Sequence, residues 1–111
     1  MLDTRQLGLI EGISNHCRRI EKKTKNISIE EFIKDQDIID IISFNLLQLG
    51  ELAKKLDASI ENVYDIIPWR LIKGMRDHIA HGYETLDLTL VYETAKKDIT
   101  TKNDIWVIFS F

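Results

Sequence analysis

Gln36-Asp-Ile-Ile-Asp-Ile-Ile-Ser-Phe-Asn-Leu-Leu-Gln-Leu-Gly-Glu-Leu-Ala-Lys-Lys-Leu56 is the stretch on which the fold turns. Ile38, Ile41 or Ile42, Leu49, Leu52 and Leu56 recur at helical spacing, and Ile39, Leu46 and Ala53 add a second stripe. A helix with so wide an apolar surface is contacted on more than one side, as the central helix of a bundle is. A third strip, Asp40, Phe44, Leu47 and Glu51, carries two acids. They are eleven residues apart, which on a helix is about three turns, or roughly 16 Å. A glycosidase-type pair needs less than roughly 10 Å. Glu51 therefore reads as a residue that orients a partner or lies at an interface.

Outward toward the N-terminus, Ser28 and Glu31 form an S-x-x-E capping box, with Ile27 and Phe32 at the hydrophobic-staple positions. A short helix is expected there, stopping around Lys34. Before it, Asp3 caps a first helix to about Lys23, whose apolar stripe is Ile10, Ile13, Cys17 and Ile20. Arg18, Arg19, Lys22 and Lys23 load its last turns with positive charge, where the helix dipole favours it. Such a cluster is either a solvated helix end or a contact for RNA.

Outward toward the C-terminus, Asp57 to Ile67 is a connector with a short helix from Ser59. Pro68 suits the N1 position of the next helix. Pro68, Leu71, Ile72, Met75 and Ile79 form that helix's core face, and Gly82 stops it. Leu88, Val91, Tyr92, Ala95 and Ile99 predict a last helix from Asp87 to Thr100. The tail from Thr101 to Phe111 is apolar without helical alternation and has strand-like residues. The expectation is all-α: one domain over residues 1–111, an up-down bundle of four to five helices, with a tail of unassigned structure.

With 111 residues, there is length for one core and not two. A net charge of -3 speaks against a sequence-blind nucleic-acid coat but leaves room for a local basic site. Cys17 stands alone, so neither a disulfide framework nor a thiolate cluster is expected, and a reducing compartment follows. Asp3 and Glu11 interrupt any export-signal pattern, and no apolar run is long enough to span a bilayer. A soluble, cytoplasmic protein is expected.

The chemistry concentrates in Arg76-Asp-His-Ile-Ala-His81-Gly-Tyr83. His81 near a helix end can take or give a proton near neutral pH. Arg76 can hold a phosphate and stabilise charge on pentacovalent phosphorus. Tyr83 adds a hydroxyl that can bind or be modified. Asp77, four residues before His81, can pair with it. Gly74, His78 and His81 share a strip, and Gly74 leaves room there for another backbone or a ligand. On one straight helix Arg76 and His81 lie about 140° apart, so the wheel alone does not unite them. His78-x-x-His81 could offer two metal ligands, but nothing completes the set, and half-buried hydrogen bonding is the plainer role for His78. Trp69 reads as packing rather than base stacking. With no Gly-rich phosphate loop and no carboxylate cluster for magnesium, the set suits metal-independent phosphodiester transfer using the RNA 2′-OH. No cofactor is expected.

Read as R-x4-H-x-Y, these residues resemble the motif of the HEPN superfamily, and within it of the HepT-like toxins. Leu49-Gly50-Glu51-Leu52-Ala53, Ile67-Pro68-Trp69-Arg70 and Gly74-Met75-Arg76 resemble the same family's signature segments, over roughly residues 3–100. The resemblance implies a homodimeric all-α bundle acting as the ribonuclease toxin of a type VII-like two-gene system. It also implies an antitoxin partner, a minimal nucleotidyltransferase that transfers AMP onto the motif tyrosine. Carried over by motif, Arg76 and His81 are catalytic and Tyr83 is the modified residue, with Asp77, His78, Glu51 and Gly74 in support. The substrate that the resemblance implies is RNA, with tRNA and mRNA as candidates. The residue after the motif arginine is often Asn in that superfamily; Asp77 places a negative charge there instead. The alternative is a non-catalytic HEPN module that binds nucleotide or protein and regulates a partner nucleotidyltransferase. A two-fold axis beside the Gly74–His78–His81 strip would set two copies of the site in one cleft.

Overall fold

The computed structural model describes residues 3–100, so the apolar tail lies outside the described residues. Six α-helices run in order: α1 (Thr4–Thr24), α2 (Ile29–Ile33), α3 (Gln36–Lys54), α4 (Ala58–Val63), α5 (Trp69–His81) and α6 (Leu88–Glu93). This is one more than the upper expected count, because the short α2 and α4 are each complete helices. No strand occurs among the described residues.

Three starts are written locally. Asp3 accepts from the Gln6 amide, Asp35 from Ile38 and Asp87 from Leu90, each supplying an acceptor to an otherwise orphaned helical N–H. The Ser28–Glu31 box closes in both directions. Pro68 is the residue before the helix rather than its first member; its carbonyl accepts from the Ile72 amide. Gly82 ends α5 with a φ of -155°, outside the left-handed region that would favour glycine. The last helix departs from a uniform α form: after Glu93 the chain continues in wider π-helical turns over Thr94–Thr100. Ala95 and Ile99 are both buried along them.

α3 is central, packed between α1 and α5. Ile39, Ile42, Leu46, Leu49 and Ala53 are buried, and the α1 stripe of Ile10, Ile13, Cys17 and Ile20 meets them. Cys17 is part of this core; burial pushes its thiol up to about 12. Two polar ties set α1 antiparallel to α3. The Gln6 side-chain oxygen accepts from the Asp57 amide (3.0 Å) just past the end of α3, and His16 Nδ1 meets Asn45 Oδ1 (2.8 Å). On the far side, α2 and α6 clasp through Phe32 and Tyr92, whose ring centroids lie 5.5 Å apart. The Tyr92 hydroxyl donates to the Ile27 carbonyl (2.7 Å). Trp69 is 7% exposed and donates its ring N–H to the Tyr64 carbonyl, a packing role as expected.

The α3–α5 contact is closest at Gly50. A Cβ there would lie 2.3 Å from Arg76 Cβ and 3.1 Å from the Ile72 carbonyl oxygen. Gly74 is the opposite case, with nothing within 4 Å of an added Cβ. Gly50→Ala is therefore expected to cost about 1–3 kcal/mol by overpacking. Gly74→Ala is expected to gain up to about 1 kcal/mol from helix propensity. Urea denaturation of both variants checks this; equal effects would show that the close approach at Gly50 does not constrain the packing.

Candidate active site

Because α5 runs antiparallel to α3, residues near 76 meet residues near 51 and Tyr83 meets the start of α3. The Arg76 stem crosses α3 at Gly50, and its guanidinium grips the next residue. Nε donates to Glu51 Oε1 (3.0 Å), and the Nη2 nitrogen to Glu51 Oε2 (3.3 Å), the two-pronged fit of guanidinium to carboxylate. A third bond runs from Nη1 to Asp77 Oδ1 (3.1 Å). Lys54 Nζ donates to the same Asp77 oxygen (2.8 Å).

The charges reinforce one another. The Arg76 hydrogen bonds hold the Glu51 carboxyl below its ordinary range. Lys54 first, then Arg76, do the same for Asp77. Glu51, then Asp77, raise Arg76. The Arg76 side chain is 23% exposed. Of its five N–H donors, three make these bonds, which leaves two for an incoming anion.

The expected pairing of the Asp77 carboxylate with His81 does not occur. That carboxylate is drawn to the cations Lys54 and Arg76, and it is the Asp77 carbonyl that meets His81 Nδ1 (2.9 Å). A carbonyl can only accept, so Nδ1 donates, and in the neutral form of this exposed imidazole the lone pair is on Nε2. Asp77 is thus bonded to both motif residues. Its side chain holds Arg76 and its backbone holds His81.

His78 is turned elsewhere. Its Nε2 accepts from the Asp87 amide (3.3 Å), tying the end of α5 to the start of α6 across the Tyr83 turn. This is the half-buried, hydrogen-bonded role. Among the described residues, no group of three or more His, Cys, Asp or Glu side chains is placed to hold a metal ion. No described helix is long and apolar enough to cross a membrane.

Tyr83 opens a 3-10 turn (Tyr83–Thr85) after Gly82. Its hydroxyl donates to Asp40 Oδ1, which also accepts from Gln36 Nε2 (2.9 Å). Tyr83 and Asp40 border an open depression of about 380 Å³ floored by Phe44, Leu47, Ile79 and Ala80. Phe44 is 55% exposed in it. Sequence reasoning missed Asp40 and Lys54. The signal for Asp40 was present: Asp40, Phe44, Leu47 and Glu51 form one strip, and its two acids each receive one motif residue. Nothing local marked Lys54, which meets Asp77 only because α3 and α5 adjoin.

Burial first, then the Asp40 hydrogen bond and charge, push the Tyr83 phenol from its ordinary 10.0 up to about 12. A raised phenol favours the fold below its ordinary range and loses that contribution as pH climbs toward 12. Alkaline difference spectroscopy is expected to show a late-titrating phenol that is lost in Tyr83→Phe. In Asp40→Asn it should move down toward 10 while staying above it, since burial remains. An unchanged profile in Asp40→Asn would remove Asp40 from the account.

A family model described as "Ribonuclease HepT-like" matches residues 13–105. A protein named "Putative RNase" from Caldanaerobacter subterraneus is 31% identical over 90 residues, covering 81% of this chain and 80% of its own. The "Probable ribonuclease HepT" of Thermococcus cleftensis is 30% identical over 90 residues, with 81% and 82% covered. A "Putative RNase" of Methanocaldococcus jannaschii is 40% identical over 76 residues, covering 68% of this chain and 63% of its own. No solved structure matches the chain. The bundle, the α5 site and these relatives together place the chain in the HepT-like ribonuclease family of the HEPN superfamily.

Proposed function

We propose that the α5 site cleaves RNA without a metal and that the chain is the toxin of a HEPN/nucleotidyltransferase toxin–antitoxin pair. The observation that carries this reading is the double use of Asp77. Its carboxylate holds the Arg76 guanidinium and its carbonyl holds Nδ1 of the exposed His81, five residues on from Arg76 along one helix. His81 Nε2 takes the proton of the RNA 2′-OH, and that oxygen attacks the adjacent phosphorus. Negative charge builds on the phosphoryl oxygens, where Arg76 meets it with its two further N–H donors. The 5′-oxygen leaves and needs a proton, and the product carries a 2′,3′-cyclic phosphate. A second copy of the chain, related by a two-fold axis along the open Gly74 side of α5, would supply its own His81⁺ as that acid.

Tyr83 suits modification by AMP. It is 38% exposed, and it borders the depression lined by Asp40, Phe44 and Ala80. An added phosphodiester would displace the bond to Asp40 and put like charge beside it, repelling the RNA backbone. The partner in this reading is a minimal nucleotidyltransferase.

The test is RNA cleavage in EDTA, wild type beside His81→Ala and Arg76→Ala, with end-group analysis and intact mass of the protein. Either substitution is expected to reduce cleavage by about 100-fold or more, the scale of a lost acid–base or oxyanion contact. Tyr83→Phe is expected to keep cleavage and to resist silencing by the nucleotidyltransferase. If unmodified wild-type protein leaves tRNA and mRNA intact, the gripped Arg76 belongs instead to a regulatory module that binds without cutting.

A further inference from the structure

We infer that a second, basic site at the C-terminal end of α1 holds the sugar-phosphate backbone of the RNA, away from the bond that is cut. The inference rests on the ribonuclease reading of α5 and adds where the substrate lies. Arg18, Lys22 and Lys25 border an open groove of about 620 Å³, and Lys96 reaches it from the π-helical segment. Glu21 is the one carboxylate lining it.

The charge is segregated. Residues 18–25 carry five cationic side chains against Glu21 alone, a balance of +4. The rest of a chain with a net charge of -3 therefore carries -7. A polyanion approaching this protein is favoured at this region over the acidic remainder of the chain.

The helix end itself has been made compatible with an anion. Carbonyls at a helix C-terminus repel phosphate, but Lys96 Nζ donates to the Thr24 carbonyl (3.0 Å) and the Thr24 hydroxyl to the Ile20 carbonyl (2.8 Å). The groove's lining side chains are all polar or charged. It has no aromatic or large apolar anchor of the kind that centres a protein–protein interface, which favours a nucleic-acid backbone over an acidic protein.

Its position suits the same substrate. Leu88, at the start of α6, and Tyr83 line one cleft with Gln36 and Ile39. Lys96 lies eight residues further along the same helical path, about 12 Å at helical rise. A strand leaving the Tyr83 end of the site reaches the groove within a few nucleotides, as in single-strand binders whose positive grooves track the backbone.

The test uses the full chain with His81→Ala, which keeps RNA intact, and fluorescence anisotropy with single-stranded RNAs of about 20 and about 4 nucleotides. In that background Lys22→Gln/Lys25→Gln is compared with Arg5→Gln/Lys34→Gln, which removes the same charge outside residues 18–25 and outside the groove. The groove pair is expected to weaken the long RNA about tenfold or more and to lower the slope of log affinity against log salt by about 1.4, for two phosphates. The short RNA and the control pair are expected to change little. Equal losses in both pairs, or none in either, overturn the inference. So does a groove pair that keeps RNA affinity but loses the nucleotidyltransferase. Cleavage is scored in parallel with His81 intact. Groove-dependent affinity without any cleavage sinks the ribonuclease reading alone.

Discussion

The site depends on how closely α5 can approach α3, and that is decided by a missing side chain. At Gly50 the Arg76 stem lies against bare backbone, where any Cβ would collide at 2.3 Å. The guanidinium then arrives beside Glu51, one residue on, at the distance and angle that two parallel hydrogen bonds require. A wider separation would leave a flexible arginine near a carboxylate, with no fixed direction for its further donors. The glycine's helix penalty, about 1 kcal/mol, is offset by this contact.

The ion pairs at the site are half-exposed, with Asp77 at 50% and Glu51 at 40%. Pairs of that kind contribute little to stability, typically under about 1 kcal/mol. Their effect is on geometry. The stability of the bundle comes from the stripes of α1, α3 and α5 and from the Phe32–Tyr92 clasp. Core and site are therefore separable in energy, although they share the same helices. The superfamily's frequent Asn after the motif arginine would lack the charge that draws Lys54 toward Asp77 here, while its backbone carbonyl would still be available to His81.

Antiparallel registry explains how one strip of α3 serves two motif residues. Glu51 and Asp40 lie about 16 Å apart along the helix, and α5 with its following turn brings Arg76 to one and Tyr83 to the other. His78 contributes from outside the site, holding the Asp87 amide so that the turn bearing Tyr83 is closed at both ends. The groove at the end of α1 extends this logic to charge. Within an acidic frame, Arg18, Lys22, Lys25 and Lys96 gather around one groove.

The sequence by itself determined what depends on neighbours along the chain. Caps at Asp3 and Ser28 and the stripes of α1, α3 and α5 are local signals, because a helix satisfies its own backbone and shows its core face at a fixed period. Arg76, His81 and Tyr83 were legible as a set, since their chemistry is compressed into eight residues. What only the tertiary structure decided is which partner each one has. Asp77 was assigned to His81 on spacing, yet Lys54 and Arg76 took its carboxylate, because a negative charge goes to the nearest cations whatever their distance in sequence. Asp40 was visible as an acid on a strip but not as the acceptor for Tyr83, and Gly50 was visible as a glycine but not as the point where two helices touch. Such pairings depend on the registry of packed helices, which no single helix encodes.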